Sequence, residues 1–248
     1  MIHLKSRQEI GILRECNLIV HEVLAKLKEL CEPGITTLEL DRVAEDLTLK
    51  RKGRPAFKGY HGFPATLCTS VNEEVVHGIP SKRVLKEGDV LSIDYGICYR
   101  DYYGDAALTV PIGKISEDAE FLLRTTEECL LRGIEQAWPG KHLADIGAAI
   151  QTHAETRGFS LVKEFSGHGV GKSLHEEPVV LNYVANGRGI QLKPGLVLAI
   201  EPMVNQGTDK VMVLKDGWTV VTKDKKFSAH FEHSVAITED GPLILSLP

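Results

Sequence analysis

The chain has 248 residues, 43% hydrophobic and 25% charged, enough to bury a full core and ordinary for a globular protein. A net charge of -5 and a pI near 6.1 exclude a globally basic surface, so neither nucleic acid as substrate nor an anionic membrane is expected as a partner. Five cysteines, at positions 16, 31, 68, 98 and 129, show neither C-x-x-C nor zinc-finger spacing, which predicts reduced thiols in a cytoplasmic protein rather than a disulfide frame. The start, MIHLKSRQEI, lacks the apolar run of a secretory leader, and no stretch approaches a membrane span in length.

Ser6 and Glu9 form a capping box, and Ile10, Leu13, Val20, Leu24 and Leu27 follow at near-helical spacing until Pro33 and Gly34, which predicts a long first helix. Thr36 and Glu39 open a second helix with Leu40, Val43, Ala44 and Leu47 on one side and Gly53 beyond its end. The basic run Lys50, Arg51, Lys52 and Arg54 at that end complements the helix dipole, a plainer account than a docking patch. Short strands follow around 65–70 and 90–94. The order then repeats: Ser116 caps a helix carrying Phe121, Leu122, Cys129, Leu130 and Ile134, Pro139 and Gly140 stop it, and another helix runs from about Leu143 to Arg157. Strands are predicted over 159–165, 197–204, 218–222 and 230–238. Two helices and then antiparallel strands, twice over, predict an α+β fold with a curved sheet backed by helices. With no linker or low-complexity tract, 1–248 is expected to be one domain.

The stretch LKEGDVLSIDYGICYRDYYGD, residues 85–105, reads as an apolar strand arriving at Asp94, a turn through Gly96, and a second strand arriving at Asp105. It has an echo. LKEGDVLSID at 85–94 matches LKPGLVLAIE at 192–201, and the segment opening on Asp105 aligns with the one opening on Glu232. The offsets, 107 and 127 residues, differ by an insertion, so the chain is expected to be two fused, divergent half-domains facing each other. Each half then supplies two carboxylates from equivalent places. One such acid alone would most simply end a strand or pair with a lysine; four converging like charges need metal, and oxygen-rich ligation suits two divalent ions. In FSGHGVGKSLHEEP, residues 165–178, glycines at 167, 169 and 171 flank His168 so closely that the backbone can turn tightly, and a neutral imidazole there offers a fifth ligand.

The ordered set Asp94, Asp105, His168, Glu201 and Glu232, with VNEEVVHGIP, SGHGVG, IEPMV and FEHSVAIT in sequence, resembles the type I methionine aminopeptidases of the pita-bread fold from end to end. The resemblance implies two pseudo-symmetric halves around two divalent ions (Co, Mn, Fe or Zn), with Asp94 bidentate on one, Asp105 and Glu232 bridging, and His168 and Glu201 completing the other. It implies removal of the initiator methionine from nascent polypeptides with a small second residue, by hydrolysis in which Glu201 accepts the proton of the attacking water. His77 and His175 would hydrogen-bond the scissile peptide, and His175 would face the developing oxyanion. Tyr60, His61, Phe63, Cys68 and Trp218 would line the methionine slot, although ordinary core packing explains each of them equally well. A cytoplasmic monomer is implied, with the basic run as a possible ribosome contact. Three positions depart from the family pattern: Leu174 replaces Phe, Phe57 replaces a Cys of some relatives, and His230 replaces Gln, as an outer donor or an extra ligand. Proline-directed peptidases share this ligand set but normally carry an extra N-terminal domain. A non-catalytic peptide-binding relative would be expected to lack ligands.

Overall fold

The computed structural model describes residues 2–248; Met1, part of the expected domain, lies outside them. The predicted capping boxes form. Ser6 Oγ accepts from the Glu9 N–H at 3.3 Å while the Glu9 carboxylate accepts from the Ser6 N–H at 2.8 Å, opening helix α1 (Arg7–Leu30). Thr36 and Glu39 do the same for α2 (Thr37–Lys50). Ser116 caps α3 (Glu117–Ile134), and the Asp145 carboxylate reaches back to the His142 N–H at the start of α4 (Leu143–Glu155). At the end of α2, the residue with left-handed φ is Lys52 rather than Gly53. Gly53 instead lets Ile97 approach closely. Arg51 of the basic run pairs with Glu22 of α1.

Nine strands build the central antiparallel sheet, in the order Arg54–Pro55, Val90–Tyr99, Tyr102–Pro111, Glu232–Thr238, Val197–Ile200, Gly167–Gly169 and Glu176–Val180, with Leu67–Val71 beside the second and Gly241–Ile244 beside the fourth. The order is mirrored about the junction of Tyr102–Pro111 with Glu232–Thr238, where the two strands pair at Glu232 with Ala107 and His233 with Ala106. Two main clusters form the core, each built chiefly on the helices of one half. Leu13, Val20, Leu27 and Leu40 pack on Leu91, Ile93 and Tyr95. Leu122, Leu130, Ile146 and Ile150 pack on Leu198, Ile200 and Val235.

Several strand expectations are corrected. The first hairpin does not turn at Gly96; it runs on to Tyr99 and reverses at Arg100 and Asp101, both with left-handed φ, so Asp94 and Asp105 lie mid-strand. Gly96 is needed there because a Cβ would meet Phe57 at 2.9 Å and the Ala56 Cβ at 3.0 Å. The 197–204 run breaks at Glu201 and Pro202, and the 230–238 run breaks at Phe231; their pieces Met203–Asn205 and Ser228–His230 pair with each other in a separate small sheet. Of 159–165 only Ser160–Leu161 is strand, and 218–222 narrows to Val220–Thr222. All five cysteines are buried and free. Among the described residues no helix is long and apolar enough to cross a membrane.

Candidate metal centre

The strand register collects the acids. Asp94 pairs with Ala107 across the hairpin, and Glu232 pairs with the same Ala107 from the other half. Paired residues share a face, and Asp105 stands two positions from Ala107, so three carboxylates surround one methyl group. Further along, Ser234 pairs with Ala199 and Ala199 with His168, while Glu201 follows at the strand's end. Small residues at 107 and 199 leave room between the five donors.

Asp105 and Glu232 are 3% and 2% exposed. His168 Nε2 lies 3.5 Å from Glu201 Oε1 and 3.9 Å from Asp105 Oδ2. One ligand atom each from Asp105, His168 and Glu232 falls within a sphere that keeps all three within 4.8 Å of one another. Among the described residues, the ion-pair partners of the four acids are only the imidazoles of His168 and His230, with no lysine or arginine. Asp94 Oδ1, Asp105 Oδ1 and Glu232 Oε1 are buried without a hydrogen-bond partner. Burial pushes the carboxyls of Asp94, Asp105, Glu201 and Glu232 upward, and the neighbouring acids push Asp105 and Glu232 further. Burial lowers His168 to about 4, leaving a neutral imidazole. Orphaned buried oxygens on paired acids with no cationic side chain are the donor set a divalent ion fits.

The remaining expected residues line the same cavity of about 310 Å³: Tyr60, His61, Phe63, Cys68, His77, His175 and Trp218 all face it with the four acids and His168. His77 holds a left-handed φ of 60° and its ring meets the edge of Phe165 with centroids 5.4 Å apart. Gly78 makes that bend possible, since a Cβ there would stand 2.2 Å from the Thr69 carbonyl oxygen. Burial, with His230 and His175 nearby, lowers His77 to about 4. His175 packs its ring on His168 at 4.2 Å, and its Nδ1 is 2.8 Å from the Tyr60 hydroxyl. The next residue, Glu176, is tied to the buried Lys5 at 2.6 Å. The glycines around His168 do not make a tight turn as expected: none has left-handed φ, and Gly167 and Gly169 sit in a strand where a Cβ would strike the carbonyl oxygens of Ala199 and Glu177.

Residues 11–239 match metallopeptidase family M24. A methionine aminopeptidase of Clostridium perfringens is 52% identical over 247 residues, spanning 100% of this chain and 99% of that protein. Methionine aminopeptidase 1 of Bacillus subtilis is 52% identical over 246 residues, 99% of each. The chain belongs to the methionine aminopeptidases of metallopeptidase family M24. The crystal structure of methionine aminopeptidase from Rickettsia prowazekii superposes with a TM-score of 0.98 at 37% identity, over 100% of both chains. The fold is therefore the family's pita-bread α+β arrangement. A prolidase of Pyrococcus horikoshii shares only that fold, with a TM-score of 0.79 at 23% identity over 63% of its length.

For a methionine aminopeptidase, three features of this cavity were not legible in advance. The contact of Tyr60 with His175 joins residues far apart in sequence. Phe165 and Met203 also line the cavity, but as lone apolar residues they carried no signal. The place of Ala107 opposite both Asp94 and Glu232 needed the register, which the misplaced turn at Gly96 concealed. Of the departures, Leu174 is 2% exposed and Phe57 8%, both in the apolar cluster with Phe63 and Cys68.

Proposed function

We propose that this enzyme removes the N-terminal methionine of nascent polypeptides, favouring a small second residue, at a centre of two divalent ions held by Asp94, Asp105, His168, Glu201 and Glu232. The observation that carries the reading is the set of orphaned, buried carboxylate oxygens with no lysine or arginine in reach. Divalent ions in such a setting supply Lewis acidity and a nucleophile at neutral pH, and Co, Mn, Fe and Zn all suit these donors.

The protein's own groups do the rest. Glu201, with a carboxyl raised by burial, accepts the proton of the attacking water. The Tyr60 hydroxyl donates to His175 Nδ1, which leaves the proton on Nε2 for the developing oxyanion, and His77 holds the scissile peptide. Tyr60, His61, Phe63, Cys68 and Trp218 enclose the methionine side chain, where aromatic faces and a thiol suit a thioether. Residues 1–248 act as one catalytic domain in a cytoplasmic monomer. A ribosome contact would fall to Lys50, Lys52 and Arg54, since Arg51 is already paired with Glu22.

Release of free methionine from Met-Ala-Ser and Met-Leu-Ser by metal-stripped enzyme, reloaded separately with Mn, Fe, Co and Zn without oxygen, tests this. Cleavage of the first peptide alone supports it. Cleavage of Xaa-Pro peptides instead would assign the chain to the proline-directed branch, and silence with every metal would make it a binding protein.

A further inference from the structure

One imidazole in the cavity has no role in the reading above. His230 is 1% exposed, and its Nε2 is buried without a hydrogen-bond partner. That nitrogen lies 3.6 Å from Glu201 Oε2, while His168 Nε2 lies 3.5 Å from Oε1 of the same carboxylate. Both gaps are too long for hydrogen bonds. They suit donors to a common ion: with bonds of ~2.1 Å and angles of about 90° to 120°, two donors stand ~3–3.6 Å apart. His230 is also fixed by its backbone. Its N–H donates to Thr109 Oγ1 at 2.9 Å, the Thr109 hydroxyl donates to its carbonyl at 2.8 Å, and Ser92 Oγ completes the cluster at 2.8 Å from Thr109 Oγ1. The ring is thus held in the cavity by the strands that carry Asp94 and Asp105.

We propose that His230 Nε2 is a sixth protein donor to the metal centre, bound to the ion that Glu201 holds. This rests on the metal-centre reading and adds a second imidazole to it. The consequence is selectivity: a second nitrogen donor favours Zn, Co and Fe over Mn.

The test loads metal-stripped protein with one equivalent of Co(II) and counts paramagnetically shifted imidazole resonances by NMR in the wild type, His230→Gln and His168→Gln. Glutamine keeps an amide hydrogen-bond donor but removes the imidazole. Two shifted imidazoles in the wild type and one in His230→Gln are expected, with Zn affinity by calorimetry falling ~10–100-fold and Mn affinity falling less. The wild-type count decides the matter even if a variant fails to fold. One imidazole in the wild type, lost in His168→Gln but kept in His230→Gln, would overturn this proposal and leave the metal centre intact. No bound Co(II) in any form would overturn both.

Discussion

Tyr60 and His175 are joined by a hydrogen bond of 2.8 Å across 115 residues of sequence, so one residue of the proposed methionine slot also orients the imidazole beside the proposed metal ligands. Removing only the hydroxyl separates these roles. In Tyr60→Phe the ring still fills the slot, and KM is expected to stay within about 3-fold while kcat falls ~10-fold. His175→Ala, which removes the donor itself, is expected to lower kcat by ~100–1000-fold. Steady-state kinetics on Met-Ala-Ser distinguishes the two; a Tyr60→Phe effect on KM alone would reduce Tyr60 to packing.

Asp105 is the carboxylate on which the cluster with His168 and Glu232 turns. Asp105→Asn preserves shape and removes charge. Loss of a direct ligand is expected to exceed the ~10–100-fold effect of outer-sphere changes on metal affinity. Calorimetric titration of stripped protein with Co or Mn reads this directly, and activity should fall below detection at metal concentrations that saturate the wild type.

Ala107 offers a subtler test, because it is opposite both Asp94 and Glu232. Ala107→Val adds two methyl groups between these acids without altering a proposed ligand. The fold should lose about 1–3 kcal/mol by overpacking. Metal affinity should fall with it, by ~10-fold or more, if the three carboxylates close on an ion above that methyl. Normal affinity in a destabilised variant would mean that the acids converge elsewhere.

The internal echo in the sequence made the four acids and the two-half plan legible, because carboxylates recurring at matched positions beside apolar runs have few physical explanations. Helix starts were equally plain, since a capping box is a local hydrogen-bond pattern written in four residues. What stayed hidden depended on partners distant in sequence. Gly96 looked like a turn because the requirement for a bare backbone came from Phe57, not from its neighbours. The single run from His230 to Thr238 concealed a break at Phe231, where the chain leaves one sheet for another and turns His230 toward Glu201.

The capping box at α1 carries a pH signature. The Ser6 N–H, against a smaller opposing effect of burial and with the Ser6 and Tyr102 hydroxyls helping, lowers the Glu9 carboxyl from 4.5 to about 2. A depressed acid contributes stability that is complete above its unfolded value and is lost as pH falls through its folded value. The difference in melting temperature between wild type and Glu9→Gln should therefore be constant above pH 4.5 and close as pH approaches 2. Ser6→Ala, which deletes the other half of the box, should cost about 1 kcal/mol at neutral pH.

The strands of the two halves pair at Glu232–Ala107 and His233–Ala106, and the acids proposed to bind metal sit on that seam. An ion held by Asp105 and Glu232 would then be a rivet as well as a reagent, because these acids stand on one strand of each half. Cohesion between the halves becomes a matter of mass action: each tenfold rise in free ion above its dissociation constant adds ~1.4 kcal/mol to the folded state. A cell short of metal would hold not only an idle enzyme but a looser one, more open to proteolysis along the seam between its halves.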